Sequence, residues 1–232
     1  MINTKNNVSA VIVSAGNSER MRGCNKQLLE INGHTVIGMS MRAFEECEDI
    51  AEIIVVAREQ DIETFRKIAE SENITKLKAF AKGGNSRQES VANGIKEVSY
   101  ETELIAIHDG ARPFITEEMV LRGYEAVKRT NACVMGMPSK DTVKLADSSG
   151  YIKETPDRKI VWNIQTPQIF SYDLIRGAYE SIRKKDMTGV TDDAMVVEQE
   201  TGTKILLVEG SYQNIKITTP EDLAIAEAFL RY

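Results

Sequence analysis

The sequence predicts an α/β protein, a mostly parallel sheet flanked by helices, with one arm that protrudes from it. Three observations predict this. From residue 8 to residue 137, short β-branched apolar runs alternate with longer stretches of helical periodicity. Several of the apolar runs empty into loops rich in small or charged residues. The rhythm breaks once, at Pro138, where a polar stretch runs to Lys159 before the α/β pattern resumes. Alternation of this kind builds βαβ units and a parallel sheet. The chain is read as a single domain over 1–232, with a protruding β-arm at about 139–159.

The first strand is Val8-Ser9-Ala10-Val11-Ile12-Val13, short, β-branched and bounded by small residues. It empties into Ser14-Ala15-Gly16-Asn17-Ser18-Glu19-Arg20-Met21, with Lys26-Gln27 just beyond. Small residues let backbone N–H groups approach phosphate oxygens, and Arg20 and Lys26 add charge-assisted contacts. Taken alone, the segment reads equally well as a surface turn with two solvated cations. Glu52 to Ala57 is a second strand, Asp61 to Glu72 a helix with Ile62, Phe65, Ile68 and Ala69 on one face, and Leu77 to Ala81 a weaker strand. Ser86-Arg87-Gln88-Glu89 has the capping-box form and opens a helix through Val98. Leu104 to Ile107 is a strand ending at His108-Asp109; a helix over Glu117–Thr130 and a strand over Ala132–Met137 follow.

From Ser139 to Lys159 the chain is polar. It carries an alternating piece at Thr142-Val143-Lys144-Leu145, a turn at Asp147–Gly150 and a return strand at Tyr151–Glu154. A hairpin with no place in the main sheet is an excursion from the body; a loose surface loop is the other reading. Helices near 172–185 and 192–200 and a strand near 204–208 come next. Thr219 caps the last helix, with Pro220 at its first position. In such sheets ligands bind beyond the carboxyl ends of the strands. Three loops meet that description: 14–26, Gly83 to Ser90, and His108 to Pro113.

Composition narrows the function. A net charge of −6 argues against a general nucleic-acid binder, so any phosphate-binding cations are local. No apolar run approaches the roughly 20 residues of a membrane span, and the N-terminus lacks the apolar core of a signal peptide. The three cysteines (Cys24, Cys47 and Cys133) are far apart and fit buried or free thiols in a reducing cytoplasm. There is no Walker loop, no dinucleotide fingerprint and no Gly-x-Ser-x-Gly elbow. With only His34 and His108, a hydrolase triad is poorly supplied, and no His/Cys cluster offers a transition-metal site. His108 is read as shaping a strand end, with an acid/base role as the alternative. What remains is a set of cations and hard oxygen donors: Arg20, Lys26, Arg87, Asp109, Arg112, Asp141, Lys144, Arg158 and Lys216. That inventory suits phosphoryl or nucleotidyl transfer, which needs positioning and charge neutralisation more than a covalent nucleophile.

These residues carry a family resemblance. Ser14-Ala15-Gly16, Arg20-Met21 and Lys26-Gln27 resemble the signature of sugar-nucleotide-type nucleotidyltransferases, and Gly83 to Val91 narrows the likeness to cytidylyltransferases. His108-Asp109-Gly110-Ala111-Arg112-Pro113, Asp141-Thr142-Val143-Lys144, Asp157-Arg158, Gln165-Thr166-Pro167-Gln168, Thr191-Asp192-Asp193-Ala194 and Asn214-Ile215-Lys216-Ile217-Thr218 follow in order. Together they resemble the 2-C-methyl-D-erythritol 4-phosphate cytidylyltransferases of the non-mevalonate isoprenoid pathway. The chain departs from the usual family pattern at Ser14 (Ala), Ser18 (Gly) and Asn25 (Pro). Ser18 and Asn25 predict a loop over 17–25 that is mobile without nucleotide.

The resemblance implies a Rossmann-like nucleotidyltransferase fold and a reaction of CTP with an alditol phosphate, assisted by Mg²⁺, in a cytoplasmic homodimer. Arg20 and Lys26 would stabilise charge on the α-phosphate and leaving group. Ser14, Ala15, Gly16, Gly84, Asn85, Ser90 and Gly110 would hold the nucleotide, and Asp109 would lie by the phosphates and the metal. Arg112, Thr142, Thr166 and Lys216 would contact the alditol phosphate, and the arm would deliver Arg158 into the neighbouring subunit. Asp192 and Asp193 stay open between helix-dipole carboxylates and part of the site. Ribitol 5-phosphate is the rival acceptor, and a non-catalytic nucleotide-binding regulator is the rival class.

Overall fold

The structure, a computed structural model, describes residues 7–17, 21, 25–183, 185 and 189–231. In chain order its elements are β1 (Val8–Val13), β2 (Glu30–Ile31), β3 (His34–Thr35), α1 (Val36–Glu46), β4 (Ile50–Ala57), α2 (Ile62–Ser71), β5 (Leu77–Lys82), α3 (Arg87–Lys96) and β6 (Leu104–Asp109). Then come α4 (Glu117–Thr130), β7 (Ala132–Pro138), β8 (Leu145–Ala146), β9 (Ile152–Glu154), β10 (Trp162–Ser171), α5 (Tyr172–Ile182), α6 (Asp193–Thr201), β11 (Leu206–Glu209) and α7 (Pro220–Phe229).

Seven strands form one sheet in the order β11-β7-β10-β6-β1-β4-β5. β1 pairs in parallel with β4 and β6, β4 with β5, and β7 with β11. Only β10 runs against its neighbours, antiparallel to both β6 and β7. The six other strands therefore share a direction, and their carboxyl ends lie along one edge. The pleat sorts their side chains by period two. Ala10 and Ile12 of β1, with Ile53 and Val55 of β4, face a core under α1, α2 and α4. Val11, Ile54 and Val56 face the opposite core under α3, α5 and α6. A third small cluster holds α7 against Ile31, Val36 and Ile217.

Four elements carry no expectation from the sequence: the two-residue strands β2 and β3, helix α1 and strand β10. Helix α1 is broken in pattern by Gly38 and Ser40, yet Thr35 caps it by accepting from the Gly38 N–H, and Ser40 Oγ donates to the Gly110 carbonyl at 3.0 Å. Strand β10 contains Asn163, Gln165, Thr166, Pro167 and Gln168, a composition that reads as loop. It nevertheless sits between β6 and β7, with a register shift between Ile164 and Gln168 and a cis Thr166–Pro167 peptide.

The Ser86 cap holds with one change. Ser86 Oγ accepts from the Glu89 N–H at 3.0 Å, but Glu89 Oε2 reaches back to the Asn85 N–H at 2.7 Å. The excursion after Pro138 contains a two-stranded ribbon, β8 with β9, apart from the main sheet. Strand pairing covers Leu145–Ala146 rather than the whole expected piece from Thr142.

Candidate active site

The carboxyl ends of β1, β4, β5 and β6 border one cleft of about 880 Å³. Ala15, Gly16, Lys26, Gly84, Asn85, Ser90, Asp109 and Lys216 all line it. The small residues are required there: a Cβ on Gly83 would lie 2.3 Å from the Ala15 Cβ. Lys26 begins a short 3₁₀ turn, Lys26–Leu28, whose Gln27 N–H is accepted by Asn25 Oδ1 at 3.1 Å. The Asn25 departure thus supplies a cap that proline cannot. Arg20 and Ser18 lie outside the described residues, and the expectation of a mobile 17–25 loop falls largely there.

Asp109 ends β6 and is only 8% exposed. Its Oδ2 accepts from Lys216 Nζ at 2.8 Å, with Arg112 Nε at 3.7 Å; its Oδ1 faces Arg87 Nε at 3.5 Å. Burial alone would raise its pKa, but the Arg87, Lys216 and Arg112 charges outweigh burial and hold the carboxyl well below the usual range. The site therefore keeps one carboxylate among three cations, an arrangement suited to polyanionic substrates.

His108 is fully buried, edge-on to Phe44, and burial lowers its pKa to about 4. Its Nε2 lies 3.0 Å from the Arg112 carbonyl, which can only accept, so Nε2 carries the hydrogen. Nδ1 then accepts from Thr166 Oγ1 at 3.1 Å, and Thr166 Oγ1 accepts from the Asp109 N–H at 3.0 Å. This chain of bonds fixes the loop that carries Asp109. It bears out the reading of His108 as shaping the strand end.

Thr166 is buried with its hydroxyl engaged in that chain. Ser14 and Gly110 lie just beneath the cleft, so close that a Cβ on Gly110 would fall 2.0 Å from Ser14 Oγ. Arg112 is held by the Asn214 carbonyl at 2.8 Å. Thr142 and Arg158 are exposed on the excursion and do not line the cleft of their own chain. Among the described residues the buried side-chain atoms without a hydrogen-bond partner are Ser14 Oγ, Asn25 Nδ2, Gln27 Oε1, Arg112 Nε (within ion-pair distance of Asp109) and Asn214 Oδ1. Each lies in the cleft lining or within two residues of it. Unsatisfied polar atoms gathered at one place mark a binding site.

The family model for 2-C-methyl-D-erythritol 4-phosphate cytidylyltransferase matches residues 8–232. The chain belongs to the 2-C-methyl-D-erythritol 4-phosphate cytidylyltransferase family. Its relative of that name from Caldanaerobacter subterraneus subsp. tengcongensis is 47% identical over 97% of this chain and 99% of the relative. The crystal structure of 4-diphosphocytidyl-2C-methyl-D-erythritol synthase from Anaerococcus prevotii superposes with a TM-score of 0.89 at 34% identity, covering 98% of this chain and 97% of that one. The Thermus thermophilus cytidylyltransferase gives a TM-score of 0.76 at 32% identity, covering 96% of this chain and 98% of that one. The α/β nucleotidyltransferase fold follows from both likenesses.

Within this cytidylyltransferase-family cleft, sequence reasoning left Arg87 and Asp193 without a role. Arg87 is the first helical residue after the Ser86 cap, which points it at the cleft. Its NH1 and NH2 donate to Asp193 Oδ1 at 3.0 Å and Oδ2 at 2.7 Å, across 106 residues of chain. Arg87 stood among the candidate cations and Asp193 in the Thr191–Ala194 motif, but no local pattern joined the two. Gln165 and Asn214 were motif residues without an assigned contact. Gln165 Nε2 donates to the Ser211 carbonyl at 2.7 Å, and Asn214 Nδ2 to the Thr166 carbonyl at 2.9 Å. These bonds tie the segment carrying Lys216 to β10.

Proposed function

We propose that this chain transfers the cytidylyl group of CTP to 2-C-methyl-D-erythritol 4-phosphate, giving 4-diphosphocytidyl-2-C-methyl-D-erythritol and pyrophosphate. The observation that carries this reading is the convergence of Arg87, Arg112 and Lys216 on Asp109, in a cleft that Lys26 and the Ala15–Gly16 and Gly84–Ser90 loops also line, in a chain of this family. An oxygen of the acceptor phosphate attacks the α-phosphorus of CTP in line. The bond from that phosphorus to the bridging oxygen breaks, and its electron pair leaves with pyrophosphate. Arg20 and Lys26 neutralise the charge that builds on the α-phosphate and leaving group. Ser14, Ala15, Gly16, Gly84, Asn85, Ser90 and Gly110 hold the nucleotide, Ser14 and Gly110 from beneath. Arg112 and Lys216 orient the acceptor phosphate, with Thr166 holding the Asp109 loop. Thr142 and Arg158 serve the acceptor from the arm of the other subunit of a homodimer.

The donor set fits a magnesium ion bound chiefly by substrate. Among the described residues no group of three His, Cys, Asp or Glu could hold a metal. Of the two carboxylates that line the cleft among the described residues, Glu59 is exposed and paired with Lys82, and Asp109 is the buried, ionised one; a single such carboxylate suits an ion that keeps most of its shell on phosphate oxygens and water. When bound, Mg²⁺ would offset the triphosphate charge that repels an anionic nucleophile. The reading places the enzyme in the cytoplasm. Cys47 and Cys133 are buried free thiols, and among the described residues no helix is long and apolar enough to cross a membrane.

Pyrophosphate release with CTP and Mg²⁺ tests the reading, with methylerythritol phosphate and ribitol 5-phosphate as separate acceptors. Turnover with the first and little with the second is expected. In competition, CTP is expected to be used well ahead of ATP and GTP, with UTP a poor substitute, because the Ala15–Gly16 and Gly84–Ser90 walls stand close together. Equal use of ATP would overturn it.

A further inference from the structure

Asp193 is 0% exposed and does not line the cleft, yet it is tied to it. Arg87 grips it fork to fork, and the Tyr179 hydroxyl donates to its Oδ1 at 2.5 Å. The N-terminus of α6 that bears Asp193 is itself pinned from the sheet. Gln168 Nε2 donates to Asp192 Oδ2 at 2.9 Å, and Gln168 Oε1 accepts from the Ala194 N–H at 2.8 Å. Asp192 Oδ1 accepts from the Met195 N–H at 2.9 Å. Gln168 stands opposite Ile107 in β6, two residues before Asp109. The frame that fixes Asp193 is thus continuous with the strand that carries Asp109.

The other edge of Arg87 faces Asp109 Oδ1 at 3.5 Å. The guanidinium bridges two carboxylates, one wholly buried and one at the cleft. Stability alone gives no reason for such a pair, since a buried ion pair is often no better than an apolar one of equal size. What two parallel bonds do supply is direction. With NH1 and NH2 committed to Asp193, Arg87 cannot rotate, and its Nε stays on Asp109 Oδ1. That leaves Asp109 Oδ2 to Lys216 at 2.8 Å.

We propose that Asp193 is a positioning residue for the transfer step, acting through Arg87 to hold the Asp109 carboxylate in its cleft-facing orientation. The role rests on the reading given under Proposed function, which puts Asp109 beside the reacting phosphates. It absorbs two motifs left over from the sequence. Gln168 and Asp192 set the helix end, and Asp193 transmits its position to the cleft.

The test compares wild type with Asp193→Asn, Arg87→Gln and the double variant, reading kcat, the KM for CTP and the thermal midpoint. Asp193→Asn is expected to lower kcat roughly 10- to 100-fold, the scale of a small misplacement of reacting groups. The KM for CTP should change little. Because both residues act along one path, the double variant should be no slower than the slower single variant. Asp193→Glu, which keeps the carboxylate, should recover part of the loss. A purely structural role would lower the thermal midpoint while leaving kcat per folded molecule at the wild-type value, and that outcome overturns the proposal. So do losses that multiply in the double variant. Should Asp193→Asn not fold, Tyr179→Phe loosens Asp193 without unpairing a charge. A several-fold lower kcat at unchanged KM is then expected, and a wild-type kcat overturns the proposal. An inactive wild type would overturn the cytidylyltransferase reading itself, whereas an active wild type with unaffected variants overturns this role alone.

Discussion

Lys26 is presented to the cleft by local structure, a 3₁₀ turn capped by Asn25, and so can meet charge as it develops. Replacing Lys26 with Ala should lower kcat by roughly 10²–10³, about 3–4 kcal/mol, as loss of one preorganised donor does. Thermal stability should barely move, because a cation at the edge of a cleft adds little to it. A raised KM for CTP at unchanged kcat would make Lys26 a binding group instead. Lys216 was assigned through the family resemblance alone, whereas Lys26 and Asp109 were legible in the sequence because small-residue loops and apolar-run ends signal where a sheet meets its ligand. The Arg87–Asp193 pair was not, since a contact spanning 106 residues leaves no periodic trace. Asp193 in isolation reads as an ordinary first-turn carboxylate.

At the scale of elements, the parallel strands were readable and β10 was not, for one physical reason. Val8–Val13 and Ile50–Ala57 bury apolar side chains on both faces, so composition alone marks them. β10 gives three of its buried positions to Gln165, Thr166 and Gln168, which bond to the site's own loops, and only Ile169 and Phe170 to the apolar core. Gln165→Leu should therefore loosen the Ser211–Lys216 segment. The expected result is a KM for the acceptor raised about tenfold, the scale of one lost orienting contact, with the KM for CTP nearly constant. Equal effects on both substrates would contradict it. The opposite edge of the sheet offers a control. Glu52 accepts from Ser9 Oγ at 2.7 Å, the Ser99 N–H at 2.8 Å and Ser99 Oγ at 2.6 Å, with Lys78 Nζ at 3.0 Å. Burial raises its pKa, but these bonds outweigh burial and hold it below the ordinary value. A depressed carboxylate stabilises the fold above the unfolded pKa, about 4.3, and loses that contribution as pH falls through the folded value. Glu52→Gln should cost about 2 kcal/mol at pH 7, the scale of hydrogen bonds to a charged group. The gap from wild type should close toward pH 3, with kcat unchanged at pH 7. Urea midpoints across that range would check it; a gap independent of pH would show that ionisation of Glu52 is not what stabilises the junction.

For the whole molecule, the cleft of one chain does not gather every residue the family resemblance assigns to it. Thr142 and Arg158 stand exposed on the excursion, and so do Tyr151 and Ile152, at 75% and 66%, with Ile160 just beyond its end at 77%. Apolar side chains this exposed on a polar ribbon are suited to burial against a second subunit. If the arm crosses a two-fold axis, each active site combines Lys26 of one chain with Arg158 of the other. Homodimers of Lys26→Ala and of Arg158→Ala should then both be nearly inactive. In a mixed dimer one site carries both lesions and the other carries neither. Mixing the two variants under conditions that exchange subunits should restore about half the wild-type activity per mixed dimer. Because the gain requires exchange, a dimer locked by cross-linking before mixing should show none. Mass spectrometry of differently tagged variants measures the exchange independently. Should mixed dimers form and no activity return, Arg158 serves its own chain's cleft and the arm does not complete the partner's site.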